Sequence, residues 1–289
     1  MERPGTVATA PTVTTEDTSP GPAGVDADSL LVVALGLVRL AVDRHRQGGL
    51  GRVDTKSSLT DPVTQVDQDS ERLIVDWLRR NRPDDAIIGE EGANDEGTSG
   101  IVWIIDPLDG TVNYTYGFPS HAVSLAVQVH GRTVVGVVHD TAMDLQYRAT
   151  LGGGAYCGHT RLGCTTADDP ALMLLATGFG YDPAQRRHQA AVLAHVMPGI
   201  RDIRRAGSAA IDLCHVAAGR VDAYYETGPN IWDVAAGMLI VEEAAGRATY
   251  DPEAKRVLAA GTVGYDRIDA FMTTAEQAAR HSGDTSAAK

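Results

Sequence analysis

The chain has 289 residues, 43% of them hydrophobic, with 38 acidic against 25 basic side chains and a formal net charge of -13. That length suffices for one large domain or two small ones with a sizeable core. The acidic balance excludes a protein whose main task is to grip nucleic acid or an anionic membrane through phosphate contacts.

Residues 1–27, rich in Thr, Pro, Ala, Gly and acids without apolar period, read as a disordered tail. Asp28 and Ser29 then offer helix caps for an apolar helix reaching about His45, which Gly48, Gly49 and Gly51 end. The apolar stretch 30–42 carries Arg39, is too short to cross a bilayer, and follows acidic rather than basic residues, so neither a membrane span nor a secretory signal is expected. After a polar loop with Lys56-Ser57-Ser58, Asp61-Pro62 breaks the chain before a second helix over about 67–80. That helix has Leu73, Ile74, Trp77 and Leu78 on one face and Pro83 beyond its end.

Two apolar runs, 86–88 and 101–105, read as strands separated by an acidic, Gly-rich loop. Alternating segments at 122–129, 133–139 and 145–150 predict antiparallel strands, with His130-Gly131 as one tight turn. Gly152-Gly153-Gly154 lacks the lysine and hydroxyl of a phosphate-binding loop and reads as a turn. From Leu172 the pattern becomes strand, helix, strand, helix, with helices near 183–197, 208–218 and 232–245. The expected division is a tail at 1–27, an α+β half at 28–165 carrying the acidic motifs, and an α/β half at 166–289 completing the site.

Three cysteines, Cys157, Cys164 and Cys214, form no C-x-x-C pair, which argues against zinc or a disulfide framework and for a cytoplasmic location. The histidines lack metal spacing and read as surface or satisfied core residues. Arg201, Arg204 and Arg205 read as solvated helix ends and strand edges, with a subunit contact or an outer substrate contact as the alternative.

Chemistry concentrates in Asp106-Pro107-Leu108-Asp109-Gly110-Thr111, directly after the second strand. Proline should turn the chain off the extended path at Asp106, and Gly110 lets it turn again, so two carboxylates and a carbonyl converge at a strand end. Two close carboxylates need a shared proton or a cation. The six residues alone leave a divalent-metal site and a solvated acidic turn both open. Asp67, Glu90 with Glu91, and Asp233 are further acids at strand ends or helix starts, and helix capping alone would also explain Asp233. Oxygen-only ligands favour Mg²⁺, Mn²⁺ or Ca²⁺ over zinc. A helix start at Gly110-Thr111 would suit a phosphate, so the set suggests phosphoryl transfer to water. The Asp-x-x-Asp spacing does not fit the Asp-x-Asp-Gly-Thr pattern of enzymes with an aspartyl nucleophile.

Taken together, Lys56-Ser57-Ser58, Asp61-Pro62-Val63-Thr64 with Asp67, Gly89-Glu90-Glu91, the stretch from Trp103 to Thr111 with Asn113-Tyr114, Gly207-Ser208-Ala209-Ala210, Asp222-Ala223-Tyr224-Tyr225-Glu226 and Trp232-Asp233-Val234-Ala235 closely resemble the inositol monophosphatase family over about residues 30–275. The resemblance implies a layered αβαβα sandwich of the α/β (α+β) class, usually a homodimer, with two or three Mg²⁺ per site and sensitivity to Li⁺. Glu90, Asp106, the Leu108 carbonyl and Thr111 would surround one Mg²⁺. Asp106, Asp109 and Asp233 would hold a second, and Glu90 would serve a weaker third through water.

By the same resemblance, Asp67, Glu90 and Thr111 are catalytic, and the pair Asp67 and Thr111 polarises the attacking water. The Gly110-Thr111 amides would meet the phosphate, while Asp109, Gly207, Ser208, Ala209, Glu226 and Asp233 would contact substrate. The implied reaction is hydrolysis of inositol-1-phosphate, a small phosphorylated polyol. Fructose-1,6-bisphosphate, histidinol phosphate and 3′-phosphoadenosine 5′-phosphate are alternative substrates of the same metal core. A regulatory, protein-binding role on the same fold is the reading of another class. The motif at Ala244-Ala245-Gly246 departs from the family's more usual pair of glycines, with Gly246 expected to supply the helix C-cap, and the loop 92–100 has no clear match.

Overall fold

The computed structural model describes residues 26–48, 53–55 and 62–286, so Lys56-Ser57-Ser58, Asp61 and residues 1–25 lie outside the described residues. The chain opens with α1 (Ala27–Arg46), β1 (Val53–Thr55), β2 (Pro62–Thr64) and α2 (Gln65–Asn81). It continues through β3 (Ala86–Gly89), β4 (Asn94–Asp95), β5 (Ile101–Asp109) and α3 (Thr111–Tyr116). Five strands follow: β6 (Ala122–Val129), β7 (Arg132–Asp140), β8 (Leu145–Thr150), β9 (Gly154–Cys157) and β10 (Thr160–Arg161). The remaining elements are β11 (Leu174–Thr177), α4 (Pro183–Val196), β12 (Asp202–Arg204), α5 (Ala209–Ala217), β13 (Ala223–Thr227), α6 (Ile231–Glu243), β14 (Gly246–Asp251), β15 (Arg256–Gly261) and α7 (Tyr265–Ser286).

Period-two burial explains the layering. In β5, Ile101, Trp103 and Ile105 join a core with Leu37 and Val38 of α1 and Ile74 and Leu78 of α2, whereas Ile104 faces the opposite core with α5 and α6. In β13, Tyr224 points into that middle core and Tyr225 into a third one, shared with Val192 of α4 and Ile268 and Met272 of α7. The order is therefore α1 and α2, the sheet β10-β9-β8-β7-β6-β5-β3-β4, α5 and α6, the sheet β12-β11-β13-β15-β14, then α4 and α7. This is the αβαβα sandwich that the family resemblance implies.

Helix α6 is buried along Val234 to Val241, as befits a helix enclosed by sheets on both sides. Gly136 on β7 lets its Ala236 backbone come close, since an added Cβ would stand 2.6 Å from the Ala236 carbonyl oxygen. The His130-Gly131 turn joins β6 to β7 with both residues at positive φ, as a two-residue hairpin requires. The Gly152-Gly153 turn is held by Glu243, whose carboxylate accepts from the Gly152 and Gly154 amides at 2.7 Å each.

Several local expectations are corrected. Asp26, not Asp28 or Ser29, caps α1, its carboxylate accepting from the Asp28 amide. The strand does not end at Asp106: β5 runs on to Asp109 through a register shift against β6, because an irregularity absorbs Pro107 without breaking the ladder. The loop 92–100 contains β4, antiparallel to β3. The residue that reverses the chain after α6 is Ala245, at φ 62, while Gly246 already begins β14.

Candidate functional site

The ends of β3, β5 and β13 and the starts of α3, α5 and α6 meet at one cleft of about 480 Å³. Its lining includes Glu90, Asp106, Leu108, Asp109, Gly110, Thr111, Gly207, Ser208, Ala209, Glu226 and Asp233, so every expected site residue except Asp67 faces it.

Asp67 stands directly behind Thr111. It is fully buried at the third position of α2, where it completes a capping box with Thr64. Its Oδ2 accepts from the Thr64 amide at 2.9 Å and from the Thr64 hydroxyl. Its Oδ1 accepts from the Thr111 hydroxyl at 2.9 Å, and the same hydroxyl reaches the Leu108 carbonyl at 3.0 Å. Burial raises the Asp67 carboxyl above the usual carboxylate range, against the pull of these donors.

Each acid on the cleft is held by backbone built for it. Asp106, 1% exposed, accepts from the Leu108 amide at 3.0 Å across the β5 irregularity. Asp109 takes the Ser208 hydroxyl at 2.6 Å and the Ala210 amide at 2.7 Å, which fastens β5 to the start of α5. Asp233 completes the capping box of α6 through the Asn230 amide at 2.5 Å. Capping and facing the cleft are thus both true of Asp233. Glu90 follows β3 in parallel register with β5, its amide donating to the Ile105 carbonyl at 3.1 Å.

Burial, then Glu90, Asp109 and Asp233, hold the Asp106 carboxyl well above its ordinary range, and Asp233 is raised in the same way. Burial likewise lifts Asp109 to about 6 despite the Ser208 and Ala210 donors. Among the described residues no group of three His, Cys, Asp or Glu side chains stands spread to close on a metal ion. The acids crowd together instead, with Glu90, Asp109 and Asp233 as the charges that face Asp106. That crowding of hard oxygen donors around Asp106, with only acids among the charges that face it, fits a divalent cation of the Mg²⁺ type.

The second sheet supplies the far wall. Glu226 accepts from the Tyr224 hydroxyl at 2.7 Å, and burial raises its carboxyl to about 7. Gly178 leaves no room for a Cβ beside that carboxylate. Gly207 has φ 91, and Asn113 ties its loop to α3 by donating to the Ala206 carbonyl at 2.8 Å and the Ser120 carbonyl at 2.7 Å.

Some cleft residues escaped the motif reading. Arg205 lines the cleft rather than being merely a solvated strand edge, and Asp212, Phe179, Gln185 and Lys255 line it too. Trp232 both packs beside Asp233 and lines the mouth. Glu71, buried on α2, accepts from the Glu91 and Ala93 amides at 2.8 and 3.1 Å and so shapes the turn that carries Glu90. An acid on the inward face of a helix was the available signal for Glu71. Among the described residues no helix is long and apolar enough to cross a membrane.

A model of the inositol monophosphatase family matches residues 26–282. The inositol-1-monophosphatase SuhB of Mycobacterium tuberculosis H37Rv is 51% identical over 208 residues, covering 69% of this chain and 72% of its own. The Nus factor SuhB of Escherichia coli K12 is 44% identical over 191 residues, covering 64% and 70%. Among solved structures, an IMPase of Thermotoga maritima superposes with a TM-score of 0.79 at 29% identity, over 87% of this chain and 99% of that one.

Proposed function

This chain belongs to the inositol monophosphatase family, and from that premise we propose that it hydrolyses inositol-1-phosphate to myo-inositol and phosphate with Mg²⁺ in the cleft. The observation that carries the reading is the Asp67–Thr111 hydrogen bond set directly behind the crowded acids. Glu90, Asp106, Asp109, Asp233, Thr111 and the Leu108 carbonyl would hold the ions. When bound, Mg²⁺ supplies Lewis acidity, activating water and neutralising phosphate charge.

The protein's own groups prepare that chemistry. Thr111 has one hydroxyl proton, directed at Asp67 and the Leu108 carbonyl, so its oxygen can only accept from a water in the cleft. Asp67, raised by burial, is poised to draw proton density from that relay. The Ser208 and Ala210 donors keep Asp109 at the junction of β5 and α5, beside the Gly207–Ala209 wall where the ring would lie. Glu226 presents its carboxyl to a ring hydroxyl, oriented from behind by Tyr224.

The test is phosphate release from inositol-1-phosphate by the purified protein with Mg²⁺, beside an Asp106→Asn control. No release above that control defeats the reading. A panel including fructose-1,6-bisphosphate, histidinol phosphate and 3′-phosphoadenosine 5′-phosphate ranks the substrate, and a preference above about tenfold for one of these replaces inositol-1-phosphate. The Nus factor name of a relative at 44% identity favours a second reading, a regulatory role through protein partners. Its test is growth complementation of a strain lacking this chain by the Asp106→Asn variant: rescue by the inactive protein supports the regulatory role. We also propose a homodimer inhibited by Li⁺, to be checked by light scattering and by a Li⁺ titration of the activity.

A further inference from the structure

Asp212 is an acid that the proposed mechanism does not use. It lies in the first turn of α5, is 1% exposed, and yet lines the cleft. Its Oδ1 has no hydrogen-bond partner among the described residues. The other acids of the wall are differently placed: Asp109 is met by Ser208 and Ala210, Asp233 by Asn230, and Glu226 by Tyr224. A buried polar atom left unmatched costs free energy that natural folds rarely concede without a use.

The charges facing Asp212 come from three elements: Glu226 on β13, Asp109 at the end of β5, and Arg205 just before α5. Two acids and a guanidinium around one recess form a poor site for an ionised phosphate, which only accepts hydrogen bonds and would meet the carboxyls as like charge. They suit hydroxyls, which both donate and accept and so satisfy a carboxyl in either protonation state. Ala209, which lines the cleft at the start of α5, leaves that approach free of a large side chain.

Resting on the phosphatase reading above, we infer that Asp212 is a second ring-hydroxyl recognition residue beside Glu226, so that the cleft selects phosphate esters of polyols carrying at least two free hydroxyls away from the ester oxygen. Asp212 is a specificity residue; the acids across the cleft remain those of the reaction. Glu226, braced by Tyr224, reads one hydroxyl, and Asp212 reads its neighbour.

The experiment compares inositol-1-phosphate with p-nitrophenyl phosphate, which has no free hydroxyl, using the full chain with Mg²⁺ and its Asp212→Ala and Asp212→Asn variants. For Asp212→Ala the ratio of kcat/KM between the two esters should fall about tenfold, the effect of one hydrogen bond to a polar or charged group, with the loss in KM rather than kcat. Asp212→Asn, which can still bond a hydroxyl, should keep that ratio within about threefold of the parent. A ratio for Asp212→Ala within about twofold of the parent overturns the inference, as does an equal fall of kcat on both esters, which marks a structural role. The thermal shift produced by myo-inositol alone gives a readout independent of turnover: it should be lost in Asp212→Ala, and its persistence counts against the inference. If the parent hydrolyses neither ester, the phosphatase reading fails, while the myo-inositol shift still decides the role of Asp212.

Discussion

Neutralising Asp106 should make the metal-free protein more stable while removing its activity. In the Asp106→Asn variant the amide keeps a side-chain oxygen for the Leu108 N–H, so the β5 irregularity retains its hydrogen bond. What disappears is one acid from a group in which Asp106, Asp109 and Asp233 are each raised by burial and by the charge of Glu90, and Asp106 by Asp109 and Asp233 as well. The sign follows from linkage. A carboxyl whose folded pKa lies above its unfolded value binds protons preferentially in the folded state, so its favourable contribution is complete below the unfolded value and declines as pH rises through the folded one. For Asp109, raised from 3.8 to about 6, the decline falls across that interval, and Asp106 extends it upward. Asp109 sets the scale for one buried acid of this cluster: a rise of about two units at 1.36 kcal/mol each is about 3 kcal/mol, which cleft water around this half-buried group reduces to on the order of 2, and removing the more deeply buried Asp106 should relieve at least as much. In EDTA at pH 8 the Asp106→Asn variant should therefore melt several degrees above the parent, with the gap closing toward pH 4. Saturating Mg²⁺ should reverse the order, raising the parent's Tm and leaving the variant's nearly unchanged. Calorimetry at pH 4, 6 and 8, with and without Mg²⁺, measures all of this. A variant in EDTA that is no more stable than the parent at pH 8, or a gap independent of pH, refutes the electrostatic account of the site.

Other substitutions test other joints. Thr111→Ala should lower kcat on inositol-1-phosphate by about 100-fold or more, with Thr111→Ser recovering most of it, because only the hydroxyl bonds Asp67; equal losses in both variants would assign the effect to packing. Gly110→Ala should destabilise by about 2 to 4 kcal/mol in denaturant melts, since Gly110 sits at φ 91 and an added Cβ would stand 2.8 Å from the Ser120 carbonyl oxygen. Ala245→Gly should stabilise by about 1 kcal/mol by relieving a left-handed alanine, and an unchanged midpoint would mean that the loop already absorbs the strain.

The fold was legible wherever apolar period and punctuation agreed. Alternation in 122–129 and 145–150 matches β6 and β8, and the apolar run of α6 matches a helix buried on all sides. Reading failed where tertiary context overruled a local rule. Pro107 marks a strand end by its own chemistry, yet β6 continues to pair beyond it at Asp109. Gly246 looked like the helix terminator because glycine tolerates positive φ, while the chain places the neighbouring alanine there. The two-residue β4 is too short to carry a periodic signal.

The site divides along the same line. Acids at strand ends and helix starts announce themselves because an irregular backbone position and a charge coincide, and Asp67, Glu90, Asp106, Asp109 and Asp233 all have that form. Glu71 does not, for it sits in the middle of α2, and Asp212, although in the first turn of α5, caps no backbone amide among the described residues and so reads as an acid on a solvated helix face. Only burial separates them from that ordinary case, and only the hydrogen bonds separate one from the other. Glu71 satisfies its carboxylate on the amides of its own protein, so its role ends in shaping the Glu90 turn. Asp212 has an oxygen left over at the wall of the cleft, and a buried acid left over in a cleft points outward, to what the cleft receives.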